Sequence, residues 1–346
     1  MGDRRNLGCI WMGLRRCRAF WVLAVVVAGF SAPGSSLLDF SLGTKGMSFQ
    51  CDEGGNMWCG GNASTNSEGA LTLTPDGRNL PDEYYFNTQG MALYTLPLQL
   101  LDNEGRWRSF SCFFRFRIET GKFPGDGLAF VMFNVSRWEG APGGDLGVYS
   151  SSGRQKVKTL AVEFDTFPNK DFDEFSNHVG VDLESLRSKV SRNAYDANIN
   201  LSGGEDIYTW IDYSVDSSYL EVRIEMRDQR PVQPFLRYQF KLSDVFSDNG
   251  TVFAGFSGSN GLCICHNFYT IFDWSLKVIP AGDDSYLYVN SMFFILIGLV
   301  FILLLVPLVS ILSHVWGRKY YSGQRTGDGF GYRELSLDIN EEENKL

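Results

Sequence analysis

The chain has 346 residues and a formal net charge of −9 at pH 7, and 14% of its residues are aromatic. A negative net charge argues against a nucleic-acid partner, because phosphate backbones are bound by basic surfaces. The length is sufficient for one large β-rich domain with additional segments at the ends of the chain.

The first 35 residues have the pattern of a secretory signal peptide. A basic region between residues 4 and 18 precedes an apolar run over 19–30, and small residues follow that run. The apolar run is too short to span a bilayer comfortably. We therefore predict a signal peptide over residues 1–35 and export of the domain that follows it.

An all-β domain is predicted over residues 36–280. In residues 109–118, SFSCFFRFRI, apolar residues alternate with polar ones, which is typical of a strand with one buried face. Further short apolar runs separated by turn residues follow, without sustained helical periodicity. This pattern predicts a sandwich of antiparallel sheets with Greek-key or jelly-roll winding.

Five cysteines follow the predicted signal peptide, at Cys51, Cys59, Cys112, Cys263 and Cys265. Cys51 and Cys59 flank a glycine-rich loop and are a candidate disulfide in an oxidising compartment. The sequence leaves the pairing of the other three open.

Four Asn-x-Ser/Thr sequences are candidate N-glycosylation sites, at Asn62, Asn134, Asn200 and Asn249. All four lie in the span predicted to be exported. Glycosylation at these positions therefore remains permitted by the predicted topology.

A concentration of metal-binding side chains lies between residues 160 and 189. Glu163 and Asp165 are two residues apart, so on a strand both carboxylates point to the same face. A loop with Asn169 and Asp173 follows, and His178 precedes the next apolar run. Oxygen ligands suit calcium, and an imidazole beside carboxylates suits manganese or another transition metal. The sequence therefore predicts a two-metal site.

An uncharged apolar run over residues 292–312 is predicted to be a transmembrane helix, because about 20 residues span roughly 30 Å. Basic residues follow the run, which places the C-terminus in the cytoplasm as a single-pass type I protein. Residues 281–291 are then a juxtamembrane linker and residues 313–346 a cytoplasmic tail. The tail is too short for a kinase, and Tyr332–Leu335 fits a tyrosine-based sorting pattern. A signalling or sorting partner could bind there.

The segment VEFDTFPNKDFDEFSNHVGVD resembles the metal loop of the legume-type (L-type) lectins, found in seed lectins and in ectodomains of plant lectin receptor kinases. TWIDYSVDSSYLEVRI and FAGFSGSNG resemble later strands of the same fold, in the same order. The resemblance implies that the transition metal, Mn²⁺ in this family, is held by Glu163, Asp165, Asp173 and His178. It implies that Ca²⁺ is held by Asp165, the carbonyl of Phe167, Asn169 and Asp173. Ser188 matches a serine that hydrogen-bonds a metal-bound water.

The resemblance also implies a carbohydrate site built from four loops. In PGDGLAF, Asp126 would accept hydrogen bonds from sugar hydroxyls, and in GAPGGDLG the N–H of Gly144 would donate one. Asn169 would bind both calcium and a hydroxyl, and Phe167 would offer its ring to the sugar. The fourth loop, residues 257–261 with Ser259, varies in the family. The partner expected is a glycan or glycoprotein.

We favour the interpretation that the protein is a single-pass lectin of the plasma membrane. On this interpretation it has no kinase and no enzymatic activity. Alternatives are a glycoprotein cargo receptor in a secretory-pathway membrane and a protein-interaction ectodomain that no longer binds sugar. A glycoside hydrolase is disfavoured, because Pro168 stands where an E-x-D-x-x-E motif has its third carboxylate. Dimerisation through a flat back sheet is common in the family and is left open.

Overall fold

A computed structural model describes residues 38–44, 46–75, 80–150, 157–169, 175–246, 249–280 and 303. The chain divides into two units, Met1–Tyr288 and Val289–Leu346, and all described residues except Leu303 lie in the first. The predicted signal peptide, linker and tail lie outside the described residues, as does the predicted transmembrane run apart from Leu303. In the described part of the chain, no helix is long and apolar enough to cross a membrane.

The described residues form sixteen strands and few helical turns. The strands are β1 (Leu38–Gly43), β2 (Met57–Gly61), β3 (Ser64–Thr65), β4 (Leu71–Thr72), β5 (Thr88–Tyr94), β6 (Leu98–Gln99), β7 (Ser109–Thr120), β8 (Gly127–Phe133), β9 (Thr159–Asp165), β10 (His178–Leu183), β11 (Val190–Asn193), β12 (Ile207–Ser214), β13 (Tyr219–Glu225), β14 (Leu236–Gln239), β15 (Thr251–Asn260) and β16 (Asn267–Ile279). The helical elements are α1 (Leu242–Val245) and 3₁₀ turns at Asp82–Tyr84, Gly143–Asp145 and Ala194–Ala197.

The strands form two antiparallel eight-stranded sheets, which confirms the predicted all-β sandwich. The first sheet has the order β14-β13-β12-β7-β16-β4-β3, with β1 also paired to β16. The second has the order β11-β10-β9-β8-β15-β5-β2, with β6 also paired to β15. Neighbours such as β7 and β16 are far apart in sequence, so the sheets can form only when distant segments meet.

The alternation predicted in residues 109–118 is present in β7. Phe110, Cys112, Phe114 and Phe116 are buried, while the residues between them are partly exposed or face the other side. The buried rings pack against aromatic side chains of the second sheet. The ring centroids of Phe114 and Phe256, for example, are 5.0 Å apart. Burial of these large apolar side chains is the main stabilising contribution to the sandwich.

The second sheet is buried on both faces near β8 and β9. One face contributes to the main core, and the other packs under a loop that carries Trp138, Leu146 and Val148. The indole N–H of Trp138 donates to the carbonyl of Val148 at 2.6 Å. This covering loop includes the Gly143–Asp145 turn, so packing on the outer face of the sheet positions that turn.

Two disulfides are present among the described cysteines. Cys51 and Cys59 are bonded, as predicted, and Cys263 is bonded to Cys265. Cys112 is a buried free thiol. The side chains of the four candidate glycosylation sites are all exposed, and their modification stays a prediction.

The expectation that residues 257–261 form a loop is wrong for most of that segment. β15 continues through Asn260, where it pairs with Thr88 of β5. Its polar residues are buried between neighbouring strands, so the apolar signal that marks strands in sequence weakens there although the ladder continues. The connection to β16 begins only at Gly261.

Candidate functional site

Glu163, Asp165 and His178 are brought together at one end of β9 and β10. Each offers a ligand atom, these atoms all lie within 4.8 Å of one another, and all three residues are buried. Leu160, Val162 and Phe164 of β9 pack into the main core. Alternation along the strand therefore turns Glu163 and Asp165 to the opposite face, as predicted.

The imidazole of His178 is oriented by contacts at both of its nitrogens. Nδ1 lies 2.8 Å from the carbonyl oxygen of Phe175, and Nε2 lies 3.0 Å from Oε1 of Glu163. With a metal ion bound, the carbonyl at Nδ1 would hold the proton there, and Nε2 would be free to donate its electron pair to the ion. Two carboxylates and one imidazole are a donor set that suits manganese or another transition metal. The residues present therefore fit such an ion.

Ser188, predicted near the metal, bridges two acidic side chains. Its hydroxyl contacts Oε1 of Glu163 and lies 2.9 Å from Oδ1 of Asp182. The pKa of Asp182 is raised well above its usual range. Burial is the larger cause, and the nearby charge of Glu163 is the second. A protonated Asp182 can donate a hydrogen bond in this cluster, which reduces the repulsion between neighbouring carboxyl groups.

Because Gly180 has no side chain, Ser188 and Glu163 can contact each other beside it. It is the register partner of Glu163 on the neighbouring strand. A Cβ built on Gly180 would lie 2.2 Å from Oγ of Ser188 and 2.3 Å from Oε1 of Glu163. Only glycine fits there without displacing the cluster.

The proposed calcium ligands continue from the same strand. Asp165 Oδ1 accepts a hydrogen bond from the backbone N–H of Phe167 at 2.7 Å, so the carboxylate helps to shape the turn that follows β9. Phe167 and Asn169 are both partly exposed at the start of this loop. Asp173, predicted to bind both ions, lies outside the described residues.

Asp126 is held beside this loop through its backbone. Its carbonyl accepts the N–H of Thr166 at 2.7 Å, and the hydroxyl of Thr166 donates to the carbonyl of Gly125 at 2.6 Å. The Asn267 amide in turn donates to the Thr166 hydroxyl at 2.8 Å. These bonds tie the Asp126 turn to the end of β9.

The carboxyl group of Asp126 is 6% exposed and faces two glycine-containing turns. A Cβ built on Gly261 would lie 3.2 Å from Asp126 Oδ2, and one built on Gly143 would lie 4.0 Å from its Oδ1. Burial raises the pKa of Asp126 to about 6, and the backbone N–H of Gly261 opposes this rise. Above that pH, the group is a charged acceptor in a sheltered position.

Gly144 and Asn169 are direct neighbours. A Cβ built on Gly144 would lie 2.8 Å from Oδ1 of Asn169, which is closer than such a contact allows. The glycine therefore lets the covering loop approach the metal loop. The structure thus brings together Asp126, Gly144 and Asn169, three of the residues that the sequence assigned to a sugar site.

Ser259 has a different position from the other predicted sugar contacts. It is fully buried in β15, and its hydroxyl donates to the carbonyl of Gly143 at 2.7 Å. The contact supports the Gly143–Asp145 turn from behind. Ser257 makes a similar contact with the carbonyl of Leu146.

Several residues that shape the site were missed in the sequence. Asp182 is four residues after His178 on β10, so strand alternation placed it on the same face and could have identified it. Gly180 gave no such signal, because the need for glycine there depends on neighbours that are distant in sequence. Thr166 lies between the predicted ligands Asp165 and Phe167, and its own role was not predicted.

Comparison with known proteins agrees with this geometry. Residues 46–285 match the legume lectin domain family. A probable L-type lectin-domain containing receptor kinase S.7 of Arabidopsis thaliana is 34% identical over 214 residues, which cover 57% of this chain and 31% of the relative. The leucoagglutinating phytohemagglutinin of Phaseolus vulgaris is 32% identical over 207 residues, covering 58% of this chain and 71% of the relative.

A solved structure gives the same result for the fold. The crystal structure of basic winged bean lectin with Tn-antigen aligns with a TM-score of 0.61 and 25% identity, covering 71% of this chain and 99% of that chain. The chain spans about a third of the length of the receptor kinase described above. The part of the chain described by the structure is a lectin sandwich and contains no kinase domain. Since the family match extends over most of its length, this chain belongs to the legume lectin domain family.

Proposed function

We propose that this protein is a membrane-anchored lectin that binds carbohydrate through a site organised by calcium and manganese. The observation that carries the proposal is the convergence of Asp126, Gly144 and Asn169 beside the buried cluster of Glu163, Asp165 and His178. A sheltered carboxylate, a backbone N–H and an amide are complementary to sugar hydroxyls.

Legume lectins bind calcium and manganese, and the acidic cluster fits that property. Glu163, Asp165 and His178 would hold the transition metal, with Asp173 completing the set predicted from the sequence. Asp165, Asn169 and the carbonyl of Phe167 would hold calcium. When bound, the ions would supply fixed positive charge beside the sugar site, and a site organised in advance would reduce the entropic cost of binding.

Each protein group then has a defined role toward the sugar. The Asp126 carboxylate accepts hydrogen bonds from hydroxyls, and the N–H of Gly144 donates one. The Asn169 amide would donate to a hydroxyl from its nitrogen, and its oxygen would be a calcium ligand. The ring of Phe167, at the partly exposed start of the loop, packs against the apolar face of the sugar.

A binding role without catalysis is favoured by the burial of the acidic pair on β9. Glu163 and Asp165 are 4% and 1% exposed, so neither carboxyl group is presented to a polysaccharide from solvent. A glycosidase needs two carboxyl groups on either side of the scissile bond.

The lectin structures that align with this chain include one with Tn-antigen and one with methyl-α-D-galactose.

The anchor, the orientation and the receptor role are proposed from the sequence. The uncharged run over 292–312 and the basic residues after it support a type I topology, with the lectin domain outside the cytosol. We place the protein at the plasma membrane, with a secretory-pathway membrane as the alternative for a cargo receptor. Signalling would then pass through a partner at the cytoplasmic tail.

A glycan array tests the proposal. The protein is applied with calcium and manganese, again after chelation, and as the Asp126→Ala variant. We expect metal-dependent binding to one class of glycan, lost in the variant. No binding by the folded, metal-loaded protein would refute the lectin function and favour a protein-interaction ectodomain.

A further inference from the structure

The connection between β15 and β16 contains a disulfide of very short span. Cys263 and Cys265 are bonded with one residue, Ile264, between them. Cys263 is exposed, Cys265 is half-buried, and Leu262 and Ile264 on either side of Cys263 are exposed as well. A thiolate in solution can therefore approach Cys263, and such access is a requirement for thiol–disulfide exchange.

The other disulfide lies in a more protected environment. Cys51 and Cys59 are partly buried and pack against the main core. Within the loop that they close, Met57 is 1% exposed, and its N–H donates to the carbonyl of Gln50 at 3.0 Å. A reagent in solution would therefore meet more resistance at this disulfide than at the one between β15 and β16.

The two disulfides also differ in how much they stabilise the folded state. In the chain-entropy model, the stabilisation grows with the length of the loop that the disulfide closes. The sequence separation is 2 residues for Cys263 and Cys265 and 8 residues for Cys51 and Cys59. Exposed disulfides are the labile ones among protein disulfides, and a bond that stabilises the fold less is also protected less by it. An external dithiol should therefore open the Cys263–Cys265 bond first.

The fifth cysteine of the described residues cannot replace that external reagent. Cys112 is 1% exposed in β7, so its sulfur does not reach the exposed connection. Burial also raises the pKa of its thiol well above the ordinary value, which leaves little of the reactive thiolate near neutral pH. Exchange at Cys263 and Cys265 must therefore use a thiol from another molecule.

The ring closed by the disulfide is attached to the Asp126 turn through both of its ends. Gly261, just before the ring, donates its backbone N–H to the Asp126 carboxyl group. At the other end, Cys265 forms a parallel bridge with Phe123, three residues before Asp126. The carbonyl of Phe123 also accepts the N–H of His266 at 3.0 Å. The ring therefore restrains a segment that contacts Asp126 and a segment that leads into it.

We infer that the Cys263–Cys265 bond is a reversible thiol–disulfide exchange site, and that its oxidation state sets the sugar affinity at Asp126. The reactant is a dithiol. The part of the inference that concerns sugar affinity rests on the proposed lectin function, whereas the reactivity of the disulfide does not.

The exchange proceeds in two balanced steps. One thiolate of the dithiol attacks the sulfur of Cys263, which forms a mixed disulfide and releases Cys265 as a thiolate that takes up a proton. The second thiolate of the reagent then attacks the reagent sulfur of the mixed disulfide and releases Cys263, which is protonated in turn. Two electrons and two protons pass to the protein, and the dithiol becomes a disulfide.

Reduction removes a covalent restraint beside the sugar site. Residues 261–265 then gain conformational freedom, so the N–H of Gly261 must be ordered again when a sugar binds at Asp126. Sugar affinity should therefore be lower in the reduced protein. Because oxidation closes the ring again, the loss should be reversible.

Differential alkylation tests the reactivity in the wild-type protein. The purified full chain, loaded with calcium and manganese, is incubated with increasing dithiothreitol, and free thiols are blocked with N-ethylmaleimide and quantified by peptide mass spectrometry. We expect Cys263 and Cys265 to be labelled together at a dithiothreitol concentration about tenfold lower than Cys51 and Cys59 require. Oxidised dithiothreitol should restore the bond. Equal resistance of the two disulfides would overturn the inference and leave the lectin function intact.

Calorimetry tests the effect on sugar affinity. The wild type and Cys263→Ser/Cys265→Ser, which cannot form the ring, are titrated with the methyl glycosides of galactose, N-acetylgalactosamine, glucose and mannose. For the glycoside that binds, affinity should be at least about threefold lower in the double variant. Ile264→Ser is the matched control, because it changes the same connection and keeps both cysteines, and its affinity should stay within about twofold of the wild type. If the double variant does not fold, wild-type protein reduced and alkylated at the two cysteines replaces it.

The outcomes separate this inference from the proposed function. Equal affinity of the wild type and the ring-free protein would overturn control of the sugar site by the disulfide. An equal loss in Ile264→Ser would do the same, since the disulfide is intact in that variant. If no methyl glycoside binds, the lectin function and the effect on affinity are both refuted, and the alkylation experiment still decides whether the disulfide exchanges.

Discussion

His178 and Asp165 are direct partners across the antiparallel pair of β9 and β10. The neighbouring pair in the same ladder is Val179 and Phe164, and both are fully buried in the main core. A slip of one residue would exchange these faces and bury the ligands among apolar side chains. The register that packs the core therefore also places the imidazole beside the carboxylate, and the candidate metal site depends on correct folding of the sandwich.

Replacement of Glu163 by glutamine should weaken manganese binding by more than about tenfold. The substitution keeps the shape of the side chain and removes the carboxylate charge of one proposed ligand, and such charges favour binding of the cation. Metal affinity measured by calorimetry checks this. The control is Glu225→Gln on the first sheet, in β13. Unchanged manganese affinity in Glu163→Gln would remove this residue from the metal site.

Gly180→Ala should destabilise the domain by roughly 1–3 kcal/mol, because the added methyl group overlaps Ser188 and Glu163. It should also lower metal affinity, since Glu163 must move to relieve the overlap. Denaturant unfolding and metal titration measure the two effects. Gly203→Ala is the control, because a Cβ there would lie no closer than 3.1 Å to its neighbours. Equal stability of the two variants would contradict the packing described around Gly180.

Much of the fold could be predicted from the sequence, because the patterns that indicate its strands lie within short segments of the chain. The strands β8, β9 and β10 appear as short apolar runs with turn residues between them. The alternation in β7 directly indicated its buried face. The predicted Cys51–Cys59 disulfide was also local, as the two residues flank one short loop.

Other features depend on contacts that the sequence does not encode locally. The end of β15 carries buried polar residues whose hydrogen bonds lie across the fold, as between Ser259 and the carbonyl of Gly143. The segment therefore resembled a loop. The pairing of Cys263 with Cys265 was left open, since an odd number of cysteines allowed several combinations. The convergence of Asp126 with Gly144 could be expected only through resemblance to a known family.

Gly144→Ala should weaken sugar binding by more than about tenfold while manganese affinity stays within about twofold. The added Cβ would overlap the amide of Asn169, so either the covering loop or the amide must leave its position at the sugar. The three atoms nearest to that Cβ all belong to Asn169, and none belongs to the metal cluster of Glu163, Asp165 and His178. Calorimetry with sugar and with manganese separates the two effects, and unaltered sugar affinity would exclude Gly144 from the binding site.

Asp126→Asn should stabilise the metal-free domain near pH 7 although it removes sugar binding. The pKa of Asp126 is raised from 3.8 to about 6, so between these values the folded state binds the proton more strongly than the unfolded state. The free energy of unfolding of the wild-type protein should therefore fall as pH rises from about 4 to about 6. A rise of the pKa from 3.8 to about 6 corresponds to a total change of roughly 3 kcal/mol.

The pH series is measured by denaturant unfolding of both proteins in chelator. The asparagine variant should lack the decrease attributed to residue 126, so the difference between the two proteins should grow with pH and then level off above about pH 6. A difference that is independent of pH would contradict the raised pKa. A wild-type protein that is less stable at pH 4 than at pH 6 relative to the variant would contradict its sign.

The dependence of sugar affinity on metal tests the central claim most directly, and His178→Ala is the variant to use. The substitution leaves Asp126, Gly144 and Asn169 in place and removes one metal-binding side chain. Affinity for the glycan identified on the array is measured by calorimetry at increasing concentrations of manganese and calcium. We expect no sugar binding by either protein in chelator, recovery in the wild type, and recovery in His178→Ala only at more than about tenfold higher manganese. Equal sugar affinity with chelator and with metals would contradict a metal-organised site.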